Sequence, residues 1–193
     1  MELVCPAGTL SALKEAVLAG ADTVYCGFKN ETNARNFPGL NFSDEELAEG
    51  IEFAHQHQAK VLVALNTYPT AGNEGLWHKA VDTAAKLKAD GIIVADLGLL
   101  AYALEKHPEL NRHLSVQATV STHQGINFLV DKFKLNRVVL PRVLSFNQIK
   151  AICAKAKAEI EVFIFGGLCT MAEGKCSLSS YIISEHIEYI FIF

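Results

Sequence analysis

Cys169 and Cys176 stand with six residues between them in a glycine-rich segment, GGLCTMAEGKCSLSSY, that runs from Gly166 to Tyr181. Two thiolates in a segment that can bend and face outward suit zinc or an iron–sulfur cluster. Either centre normally takes four ligands, so the pair alone is half a site. The other three cysteines are Cys5, Cys26 and Cys153. Two of them end apolar runs and one lies in a helical pattern, where free cysteine commonly serves as a small buried hydrophobe. His55 and His57 are two apart on a helical pattern and do not share a face, so they read as solvated surface groups. The chain has no G-x-S-x-G, H-E-x-x-H or P-loop motif.

A second set of polar residues recurs where apolar runs end. These are Asn66, Asp96, Gln117 and Arg142. Asn66 and Asp96 each also suit the plain role of a helix cap. The loop from Lys29 to Phe42 is long for a connection, rich in amides, and carries Asn33 and Arg35. Together Asn33, Arg35, Asn66, Asp96, Gln117 and Arg142 are the candidates for lining a binding mouth. Arg142 could pair with a carboxylate or phosphate on a ligand.

The elements that must position these residues follow one repeat. Apolar, β-rich runs occur at Glu2–Cys5, Thr23–Cys26, Lys60–Leu65, Gly91–Ala95, His113–Gln117, Arg137–Leu140 and Glu161–Phe165. Short runs nearly continuous in Val, Ile and Leu suit parallel strands buried on both faces. Helical patterns lie between them, at Leu10–Ala19, Asp44–His57, Glu74–Lys88, Leu97–Lys106, His123–Lys134 and Phe146–Lys157. Ser43 stands three residues before Glu46 and Ser145 three before Gln148, and each pair fits a capping box. Seven strands alternating with helices predict an α/β, TIM-barrel-like (β/α) repeat of parallel strands, with about seven of eight strands present. An open doubly wound sheet is the alternative, disfavoured because no G-x-G-x-x-G follows the first strand. In such barrels the chemistry sits at the C-terminal ends of the strands, where the polar set falls.

Composition sets the broader bounds. Half of the 193 residues are hydrophobic, a fifth are charged, and the net charge is −4. That is a globular chain with no basic patch, so a nucleic-acid partner is not expected. The start, MELVCPAG, lacks a signal peptide's basic and apolar regions, and no apolar run is long enough for a membrane helix. The expected location is cytoplasmic, with reduced or metal-binding cysteines.

MELVCPAG, DTVYCGFK, TNARNFPGLNF, NRHLSVQATVS, RVVLPRVLS and FGGLCTMAEGKCSLSSY are similar to the collagenase-like peptidase family, most closely its UbiU branch. The resemblance is collinear over residues 1–185. It implies a barrel-like domain that pairs with a homologous UbiV-like subunit as a heterodimer. It implies a 4Fe–4S cluster held by four cysteines, with Cys169 and Cys176 as the first two ligands. It implies oxygen-independent hydroxylation of a small-molecule ubiquinone precursor. Relatives are proposed proteases or modify RNA, so a peptidase and an RNA-modifying hydroxylase are the alternatives. In the family two further cysteines follow the LSSY-type segment. Here residues 186–193 depart from the pattern, and the expectation is a truncated or frameshifted tail. The chain would then lack two of its four cluster ligands and could be an inactive fragment.

Overall fold

The computed structural model describes residues 1–166. Seven strands alternate with six helices: β1 (Val4–Pro6), α1 (Leu10–Leu18), β2 (Thr23–Cys26), α2 (Asp44–Gln56), β3 (Lys60–Leu65), α3 (Gly75–Lys86), β4 (Gly91–Val94), α4 (Leu97–Lys106), β5 (Asn111–Leu114), α5 (His123–Phe133), β6 (Arg137–Val139), α6 (Phe146–Cys153) and β7 (Glu159–Glu161). All strand pairs are parallel, and the order in space is the order in the chain, from β1 to β7. The sheet curls into a TIM-barrel-like half-barrel with the helices outside, as the repeat predicts.

Local chemistry starts most of the helices where they start. Thr9, Ser43, Asp96, Thr122 and Ser145 each accept a hydrogen bond from a backbone N–H in the first turn of α1, α2, α4, α5 and α6. Both capping boxes form, with Glu46 and Gln148 reaching back to Ser43 N and Ser145 N. Each such cap contributes about 1 kcal/mol.

Alternation along the strands divides the side chains into two sets. Val24, Val61, Val63, Ile92, Val94, Leu114 and Val138 point outward and pack with Leu13, Leu47, Trp77, Leu100 and Ile126 of the helices. These residues are fully or almost fully buried, and truncating one such leucine to alanine costs about 2–5 kcal/mol. Tyr25, Leu62, Ile93, His113, Arg137 and Val139 occupy matched positions of the register on the other face, which lines the barrel.

Three strands shift from the expected bounds. β1 spans Val4–Pro6 rather than Glu2–Cys5. β5 spans Asn111–Leu114 rather than His113–Gln117, and Val116–Ala118 forms a 3-10 turn. Gly91 pairs with Asn111, which draws the start of β5 back, while Ser115 Oγ accepts from Gln117 N and turns the chain out of the sheet. β7 spans Glu159–Glu161, two residues before the apolar run expected to form it. Its glutamates face Arg137 across the β6–β7 pair, and that ion pairing sets the register. Cys26 is buried as expected and Cys5 partly so, but Cys153 is exposed at the end of α6.

Candidate functional site

The C-terminal ends of the strands surround a cavity of about 540 Å³. Its floor and walls are mostly apolar: Pro6, Tyr25, Ala64, Ile93 and Val139 from inside the barrel, with Phe37 and Leu40 from the long loop and Phe163 beyond β7. Its polar groups are Asn33, Arg35, Asn41, Asn66, Ser115, Gln117, Arg142 and Glu161. An apolar pocket with a few fixed polar groups is the usual form of a small-molecule site.

Five of the six mouth candidates therefore share one cavity: Asn33, Arg35, Asn66, Gln117 and Arg142. Asp96 does not line it. Its carboxylate caps α4, accepting from Leu99 N at 2.7 Å.

The amides hold the loop over residues 29–42 in place. Phe28 and Phe42 pair at its base, with Phe42 N donating to Gly27 O and Lys29 N to Phe42 O. Asn33 is nearly buried; its Nδ2 donates to Asn41 Oδ1 at 2.7 Å and its Oδ1 accepts from Arg35 N. Asn41 Nδ2 donates to Arg35 O, and Asn41 N donates to Gly8 O at 2.7 Å. Asn41 holds φ of 74°, a left-handed conformation that asparagine tolerates better than most residues. Asn66, just after β3, accepts from Ala34 N at 3.0 Å. Thr67 donates to Glu31 O while its hydroxyl accepts from buried Trp77 Nε1. The loop is thus tied to the ends of β1, β2 and β3. A Cβ on Gly27 would come within 2.3 Å of Asn33 Nδ2, so the strand end must approach that amide closely.

Two inward-facing titratable residues near the cavity were not among the sequence candidates. Glu161 lines the cavity, and its Oε2 accepts from Arg137 Nη1 at 3.3 Å. Burial raises its pKa, with Arg137 opposing that rise. His113 lies deeper in the barrel, 6% exposed, with no partner for Nδ1. Burial, helped by the nearby Arg137 charge, lowers its pKa to about 4 and keeps it neutral. Both already stood in runs expected to be strands, His113–Gln117 and Glu161–Phe165, but as their first residues, away from the strand ends where candidates were sought.

Beneath the cavity the barrel carries a charged layer. Arg137 donates to Glu2, Glu159 and Glu161. Thr23 and Lys60 also donate to Glu2. Burial opposes ionisation of Glu2, but the hydrogen bonds from Thr23 and Arg137 win and bring its pKa down to about 2.

Cys169 and Cys176 lie outside the described residues. Among the described residues no group of three or more His, Cys, Asp or Glu side chains is placed to hold a metal. Burial pushes the Cys26 thiol up to about 12, so it stays protonated and belongs to the layer between sheet and helices. Cys153 lies in the outer helical layer. These two thiols do not fit a cluster at the mouth. Hydrogen-bonded histidine rings among the described residues engage Asp90, Asp82 and the Phe53 carbonyl, not a serine or cysteine. Among the described residues no helix is long and apolar enough to cross a membrane.

A curled parallel sheet with a ligand-sized cavity at its strand ends defines a TIM-barrel-like α/β protein. Residues 8–186 match the model of Peptidase family U32, and the chain belongs to that family. It is 39% identical over 191 residues to an uncharacterized protease of Methanocaldococcus jannaschii, covering 96% of this chain and 46% of that protein. It is 35% identical over 181 residues to tRNA hydroxylation protein P of Helicobacter pylori, covering 93% of this chain and 42% of that one. The chain thus spans less than half the length of these curated relatives. The solved U32 peptidase Mk0906 superposes with a TM-score of 0.69 at 19% identity, over 84% of this chain and 68% of that structure, which supports the fold alone.

Proposed function

We propose that this chain forms the substrate-binding barrel of an oxygen-independent hydroxylase that acts on a planar ring. The observation that carries the reading is the apolar cavity of about 540 Å³ with its fixed amide and guanidinium rim. Its volume suits one ring with a substituent. The ring is a base in RNA, which the printed name of the Helicobacter pylori relative supports. A net charge of −4 does not count against it, since Arg35 and Arg142 both line the cavity. A local pair of cations can take up a phosphate whatever the sum over the chain.

The ring of a ubiquinone precursor is the second reading. The UbiU-like motifs favour it, and the apolar walls of the cavity suit a benzenoid ring. A UbiV-like partner belongs to that reading. A 4Fe–4S cluster on Cys169, Cys176 and two further thiolates would supply the redox chemistry in either case.

The test is deletion of the gene in its host, followed by mass spectrometry of digested RNA and of extracted quinone precursors. Loss of a hydroxylated nucleoside supports the first reading. A build-up of an unhydroxylated quinone precursor selects the second. No change in either pool, with EDTA-sensitive peptide cleavage by the purified protein, would overturn both in favour of a peptidase.

A further inference from the structure

Glu161 and Gln117 face the cavity from β7 and from the turn after β5, on either side of Val139 of β6. Each has one polar atom committed to the protein and one left over. Glu161 Oε2 takes the hydrogen bond from Arg137, while Glu161 Oε1 has no hydrogen-bond partner among the described residues. Gln117 Oε1 is engaged by Ser115 Oγ, and its Nε2 has no hydrogen-bond partner among the described residues. The commitments fix the orientations. Ser115 makes the amide present its nitrogen, and Arg137 holds the carboxylate by one oxygen so that the other is presented.

The backbone behind Gln117 is equally held. Its carbonyl accepts from Tyr68 Oη at 2.9 Å and from Thr119 Oγ1 at 3.1 Å. Gln117 is only 5% exposed and lines the cavity. The cavity floor thus presents a fixed acceptor and a fixed donor with an apolar residue between them.

We infer that Glu161 and Gln117 read the hydrogen-bonding edge of a lactam ring. Glu161 Oε1 accepts from the ring N–H, and Gln117 Nε2 donates to the neighbouring carbonyl while the ring lies over Val139. The inference rests on the ring-binding reading above and sharpens it to a base with an N–H beside a C=O. Benzenoid rings lack that edge. A site built to hydrogen-bond such a group discriminates strongly against analogues without it, because its own polar atoms are then stranded.

The probes are uridine and N3-methyluridine, which differ at the one N–H, with 4-hydroxybenzoate as the benzenoid control. Binding to the whole chain is measured by calorimetry, for wild type, Glu161→Gln and Gln117→Leu, each first shown to be folded by circular dichroism. Wild type is expected to bind uridine at least tenfold tighter than N3-methyluridine. Glu161→Gln should cut that ratio by most of its size with little effect on N3-methyluridine. Gln117→Leu should weaken both nucleosides alike. If wild type binds the two nucleosides equally, or the ratio survives Glu161→Gln, the edge-reading role is overturned while the ring-binding cavity stands. If 4-hydroxybenzoate binds and neither nucleoside does, the lactam assignment falls and the benzenoid reading remains. If none of the three binds, the ring-binding reading falls with it.

Discussion

The guanidinium of Arg137 on β6 donates to the carboxylate of Glu2, two residues before β1, across 135 positions of the chain. The same guanidinium holds Glu159 and Glu161 on β7. Arg137 therefore ties the first strand of the curled sheet to its last two. Its pKa is raised, because hydrogen bonds to Glu159 and Glu2 outweigh the cost of burial.

Replacing Arg137 with methionine keeps the bulk and removes the charge. Glu161 is then left partly buried without the Arg137 cation, and of its cations Glu2 keeps only the longer contact to Lys60 among the described residues. The expected loss is about 3 kcal/mol of stability, read as a lower urea midpoint. A midpoint within experimental error of wild type would show that the cluster holds nothing together.

Acid should destabilise the protein in two stages. His113 has a folded-state pKa of about 4 against an ordinary 6.5, so the unfolded chain binds more protons between those values. The stability due to neutral His113 is complete above pH 6.5 and is lost as pH falls to 4, by about 3 kcal/mol. Glu2 acts lower, since its contribution is present above 4.5 and is lost as pH falls through 2. Unfolding midpoints between pH 7.5 and 4 should fall steadily for wild type. For His113→Gln they should change little over that window.

Arg112 is a buried arginine that serves backbone rather than carboxylate. It donates to the carbonyls of His107, Pro108, Leu110, Phe133 and Lys134, which joins the end of α4 to the end of α5. A lysine has its donors at one point and cannot reach both sets. Arg112→Lys should cost about 2 kcal/mol, seen as a fall in the thermal midpoint of several degrees.

The loop over the cavity can be tested by protease. Asn66→Ala removes the acceptor for Ala34 N and leaves one of the ties to β3 broken. Trypsin should then cut after Arg35 several times faster than in wild type, with the global unfolding midpoint lowered by about 1 kcal/mol or less. Equal cutting rates would mean that the contacts to Gly8 and Asn41 suffice.

Thiol reactivity should separate the described cysteines. Cys153 is exposed and should label within minutes under native conditions. Cys26, with a thiol held protonated at about 12, should label only on unfolding. Peptide mass spectrometry after pulsed alkylation reads both. Native labelling of Cys26 would contradict its place between sheet and helices.

Much of the barrel was legible because its signals are local. β2, β3 and α4 fall where the apolar runs and helical spacing put them, and Ser43 and Ser145 mark helix starts by their own hydrogen bonds. β5 and β7 shifted because their registers depend on partners far along the chain, Gly91 for one and Arg137 for the other. The site followed the same division. Asn66 and Gln117 were visible as polar residues at strand ends, and Asn33 as an amide of the long loop. Asp96 fits the same pattern, yet a helix cap and a cavity group look alike in sequence. Glu161 and His113 were hidden because only the pleat, fixed by register, decides that they turn inward.

The order of strands in the sheet has a consequence for how the molecule is made. Neighbours in space are neighbours in the chain, so each new βα unit leaving the ribosome finds its docking edge already present. The ion pair between Glu2 and Arg137 spans the sheet instead, since one partner is made almost first and the other late. Synthesis should therefore lay down a growing, one-sided platform whose inner face stays open to solvent, and the cavity gains its Val139 and Glu161 wall only when β6 and β7 arrive.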